Sequence, residues 1–73
     1  MRLSDCKKGI YKISKRYGGW RFISKMDSMG MTVGEELEVL LNQNHYPMLI
    51  KVRGSEISLG KGMAGKLEME DIE

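Results

Sequence analysis

A chain of 73 residues, 41% hydrophobic and 30% charged, has room for one small core and one domain. A single cysteine excludes an internal disulfide, and the one histidine has no companion at a metal-ligand spacing, so both common staples of small folds are missing. The net charge of +2 hides a division: residues 1–26 carry eight Lys/Arg against Asp5, whereas residues 27–73 carry four against nine Asp/Glu.

Such a two-signed chain can orient against a charged partner or against its own copies, which leaves room for a weak homo-oligomer. No apolar run approaches the roughly 18 residues of a membrane span, and the first five residues lead into no apolar signal core. The expectation is a cytoplasmic protein without direct membrane insertion.

In chain order, residues 3–9 read as a lead-in closed by Gly9. Tyr11 and Ile13 then alternate with polar neighbours as in a half-buried strand, and Gly18-Gly19 ends it. Over about residues 20–30, Phe22, Ile23, Met26 and Met29 fall on one face of a helix. Gly30, free to take the left-handed conformation, is expected to cap that helix, and Gly34 to bend the chain into sheet. Leu37, Val39 and Leu41 alternate on one side of the next strand, with Glu36 and Glu38 on a wet side.

Residues 42–47 are a polar loop ended by Pro47, after which Met48, Ile50 and Val52 share one strand face. Gly54-Ser55 turns the chain into residues 56–59, making a hairpin. The glycine-rich residues 60–65 allow one helical turn, and Leu67 and Met69 alternate in a last strand whose acidic end, residues 71–73, is expected to fray. Five short strands and one short helix predict a mainly β fold. A small barrel over residues 1–73 is the best choice, because closure removes exposed edges and shares one core.

Signatures of catalysis are missing. His45 lies in the polar loop and reads as a solvated residue, and Cys6 reads as a small packing residue although Lys7 and Lys8 follow it. No catalytic residue, cofactor or metal ligand is assigned. Gly60, Gly62 and Gly65 match G-x-G-x-x-G, but only eight residues follow, too few for the helix and strand that make it a dinucleotide site. Most of the seven methionines read as core filler, with Met29 and Met31 able to form an adaptable surface at the helix end. Trp20 and Arg21 are types favoured at protein interfaces. The rival reading is a nucleic-acid-binding barrel using Lys7, Lys8, Lys12, Lys15 and Arg16. It is not favoured, since no strand carries alternating aromatics for stacking.

With these residues in view, the chain resembles the FeoA family, the small cytoplasmic component of bacterial ferrous iron transport. Leu3, Gly9 and Ile13 match its N-terminal pattern, and Met29-Gly30-Met31-Thr32-Val33-Gly34 matches its M-G-apolar segment, with Val33 where proline is usual. Pro47 with Met48, Ile50 and Val52 fits its proline-apolar strand; Gly54, Ile57 and Leu59 fit its hairpin; Ala64, Leu67 and Met69 fit its close. The resemblance implies an SH3-like barrel and a non-enzymatic accessory. The implied partner is the membrane ferrous iron transporter with its GTPase domain. Trp20, Arg21, Lys25, Met26, Met29 and Gly30 are the expected partner-binding residues, with Phe22 and Ile23 toward the barrel.

Overall fold

The structure, a computed structural model, describes residues 1–72. A 3-10 turn at Leu3–Asp5 precedes β1 (Gly9–Arg16), α1 (Trp20–Ser28), β2 (Glu36–Leu41), β3 (Met48–Val52), β4 (Ser55–Leu59), the short α2 (Lys61–Ala64) and β5 (Leu67–Asp71). The strands pair antiparallel in the order β4-β3-β2-β1-β5. They bend around one core as a small SH3-like barrel, the mainly β architecture expected.

Alternation decides which side faces in. Tyr11 and Ile13 of β1, Leu37 and Val39 of β2, Met48, Ile50 and Val52 of β3, and Leu67 and Met69 of β5 are all buried. Leu3, Cys6, Met26, Met31, Leu59 and Ala64 complete the cluster. Each fully buried aliphatic side chain contributes roughly 1.5–3 kcal/mol of transfer free energy.

Two irregularities change the expected pattern. The β2–β3 register shifts between Val39 and Leu41, so Leu41 leaves the inner face and stands 43% exposed. A one-residue slip sends every later side chain to the other face, which strict alternation cannot foresee. A second shift lies in the β1–β5 pairing between Ile13 and Lys15, where Ser14 Oγ donates to the Glu68 carbonyl at 3.1 Å.

The β3–β4 hairpin turns one residue earlier than expected. Val52 pairs with Ser55, and the loop is Arg53-Gly54 with φ of 52° and 82°. Two left-handed residues make the turn whose twist suits a two-residue hairpin. Arginine is an uncommon first occupant.

Strand pairing leaves the seam between β4 and β5 open, and α2 joins them there. The outer margin of β5 is covered by the chain's start: Met69 N donates to the Met1 carbonyl at 2.7 Å, and Arg2 bridges to Glu68. The outer margin of β4 pairs with no strand among the described residues.

Candidate interaction surface

The helix α1 occupies the residues expected of it and ends as Gly30 requires. Gly30 has φ 78°; its N–H donates to the Asp27 carbonyl at 3.0 Å, and Met31 N donates to the Met26 carbonyl at 2.8 Å. These are the two bonds of a Schellman cap, whose companion is an apolar contact between the residues flanking the turn. Here those residues are Met26 and Met31, both fully buried.

That cap corrects one expected partner residue. Met26 is the residue of α1 that plugs the core, so it cannot touch a partner. Of the others, Trp20 is 75% exposed, Arg21 and Lys25 are exposed, and Met29 and Gly30 are half-buried. Phe22 and Met29 both pack against the core from its edge. Ile23 is half-buried. The spacing of three and four identifies the helix but does not rank the four apolar residues; the cap does, by turning Met26 under the chain.

Two arginines from different elements meet the helix end. Arg16 of β1 pairs with Asp27 at 2.6 Å and donates to the Met31 carbonyl at 3.3 Å. Arg53, from the hairpin turn, lies against Gly30 and faces Glu35 at 3.6 Å. Between the helix end and the hairpin lies an open groove of about 660 Å³, bordered by Asp27, Met29, Gly30, Arg53 and Ile57. The groove and the clamp by Arg53 escape sequence reasoning; the one local sign is a glycine after Arg53, read instead as the start of the turn.

The chemically suggestive residues are scattered. Cys6 is buried and its thiol is pushed up to about 11 by burial, which keeps it protonated and unreactive near neutral pH. His45 is exposed with φ 69°. Among the described residues no group of three or more His, Cys, Asp or Glu could hold a metal ion. The glycines at 60, 62 and 65 flank and occupy the four-residue α2, which follows β4 and leads into the antiparallel β5.

The basic residues of β1 do not form an unbroken stripe. Lys12 stands in register between Glu36 and Glu70, Lys15 opposite Glu68, and Arg16 is committed to Asp27. Alternating signs across the sheet weaken the field a phosphate backbone would follow.

Known proteins give the arrangement its relatives. The family model described as the FeoA domain matches residues 1–71. A protein of Methanocaldococcus jannaschii described as "Putative Fe(2+) transport protein A" is 38% identical over 72 residues, covering 97% of this chain and 87% of that one. A crystal structure described as Iron Uptake Regulatory Protein (FeoA) superposes with a TM-score of 0.85 at 34% identity, covering 94% of this chain and 92% of its own. The regulator ScaR with bound Cd²⁺ has a TM-score of 0.91 at 23% identity, over 99% of this chain and 35% of its own, a likeness of fold alone. Matched along nearly its whole length by sequence and by shape, this chain belongs to the FeoA domain family.

Proposed function

We propose that this protein is a non-enzymatic accessory of ferrous iron uptake that acts by contact with the cytoplasmic part of the membrane permease carrying a GTPase domain. Family membership and the relative named for Fe(2+) transport support the process. The observation that carries the contact is the α1 end, where half-buried Met29 and Gly30 border an open groove beside exposed Arg53. Exposed Lys25 and Arg21 lead from that end back along the helix towards exposed Trp20 at its start. A convex helix with a fixed end offers shape and apolar area without needing to reorganise, which lowers the ordering cost of association.

The test is capture of the permease's soluble domain by immobilised protein. Lys25→Glu leaves the core untouched and is expected to weaken capture; Met29→Glu is expected to abolish it with the circular dichroism unchanged. Capture undiminished by both substitutions, with the fold retained, sinks the contact. Unfolding of Met29→Glu assigns that residue to the core and leaves Lys25→Glu to decide.

A further inference from the structure

One corner of the molecule gathers every cation–aromatic pair found among the described residues. The Arg2 guanidinium lies 4.3 Å from the Tyr17 ring centre and Lys15 Nζ 5.1 Å from it. Arg21 lies 5.4 Å from the Trp20 ring and Lys66 Nζ 5.2 Å from Phe22. Two of the four share the Tyr17 ring, so the pairs fall close together.

The backbone assembles it. Tyr17 N donates to the Lys66 carbonyl at 2.8 Å, Arg2 Nη1 donates to the Gly65 carbonyl at 2.6 Å, and the Phe22 ring lies against Gly18. Its charge is one-sided. Glu68, the carboxylate beside it, is taken by the Met1 amine and Arg2. Lys15, Arg21 and Lys66 make no ion pair among the described residues. Trp20, 75% exposed, is the largest apolar group the molecule leaves in water.

Shape and ring environment choose between anionic partners. The grooves beside the β3–β4 hairpin, the polar loop and the start of β1 are lined by none of Tyr17, Trp20, Arg21, Phe22 or Lys66. A corner that borders none of these grooves suits a flat, deformable surface better than a peptide that needs a cleft. The rings border none of those grooves, where a single-stranded nucleic acid would need a basic groove to follow with its bases stacked on the rings. Tryptophan flanked by lysine and arginine is the composition that settles at the headgroup level of a bilayer.

We propose that this corner adsorbs to the anionic leaflet of a membrane, with Trp20 in the headgroup layer and Lys15, Arg21 and Lys66 against lipid phosphates. It shares Trp20 and Arg21 with the surface proposed for the permease, but needs no permease and is tested without one. The protein as it stands is mixed with vesicles of phosphatidylcholine containing about a third phosphatidylglycerol, at about 0.1 M salt, where exposed charges still act over about 10 Å. Trp20 is the sole tryptophan, so its emission reports the contact directly.

The expected result is co-sedimentation and a blue-shifted emission with the anionic vesicles, and neither with phosphatidylcholine alone. Arg21→Ala with Lys66→Ala should weaken sedimentation at least tenfold, because each surface cation supplies roughly a fivefold factor. Trp20→Ala should weaken it too. Lys7→Ala with Lys8→Ala, which precede the opposite end of β1 from Lys15, should change it less than about twofold. No shift and no sedimentation, or equal losses from the two double variants, overturns the proposal. So does tighter binding to a mixed oligonucleotide than to the anionic vesicles.

Discussion

Asn42 carries a structural duty that its place in a polar loop conceals. Its Nδ2 donates to the carbonyls of Ser4 and Cys6, at 3.1 and 2.9 Å, and so ties the N-terminal turn to the end of β2. Its Oδ1 is buried without a hydrogen-bond partner. Asn42→Asp would exchange a donor for an oxygen facing two carbonyl oxygens, and should cost about 1–3 kcal/mol in urea unfolding. Gly30 makes a second prediction at this scale. Gly30→Ala must hold φ near 78° and push the Arg53 side chain aside, for a loss of about 1–2 kcal/mol. Adding Arg53→Ala should recover only the part due to crowding. Full recovery would show that the backbone conformation is not the cause. For Cys6, burial and a thiol raised to about 11 predict negligible alkylation in the native state and rapid alkylation in urea.

Among the elements, what was legible in the sequence was whatever a single segment determines. The helix over residues 20–28, its stop at Gly30 and the inward faces of β1, β3 and β5 follow from spacing and from glycine, and the structure has them all. What depends on how two segments meet was not legible. Leu41 faces out because β2 and β3 slip past each other, and the hairpin turns at Arg53 because the register pairs Val52 with Ser55. Met26, whose spacing alone allows a place on the partner surface, lies in the core, since the Schellman cap brings Met31 over it. The 3-10 turn at Leu3–Asp5, read as a lead-in, seats Leu3 fully inside. Leu3→Ala should therefore destabilise by about 2–5 kcal/mol, far more than a loose N-terminal residue would. The groove at the helix end needs both the cap and the turn, so no single stretch announces it.

At the scale of the whole molecule, the first two residues meet β5 in one ion-pair cluster. The Met1 amine lies 2.6 Å from Glu68, and Arg2 Nε lies 3.0 Å from the same carboxylate. The hydrogen bond from the amine is the main cause holding the Glu68 carboxyl below its ordinary 4.5, and the same bond lifts the amine above its ordinary 8.0. The signs run in opposite directions. The carboxylate's contribution is complete above about 4.5 and disappears as pH falls through its lowered folded value. The amine's is complete below about 8 and disappears as pH rises through its raised folded value. Urea midpoints should form a plateau between those limits and fall on both sides, and Glu68→Gln should flatten both flanks at once. A flank that survives Glu68→Gln must come from another group.

The unequal margins of the sheet have a further consequence. Met1 and Arg2 cover β5 at Glu68 and Met69, so among the described residues Ser55–Leu59 is the strand whose outer margin is left for a neighbouring molecule's backbone bonds. Joining there, two copies would use up each other's vacant rim and finish as a closed two-fold pair, with no growing fibril.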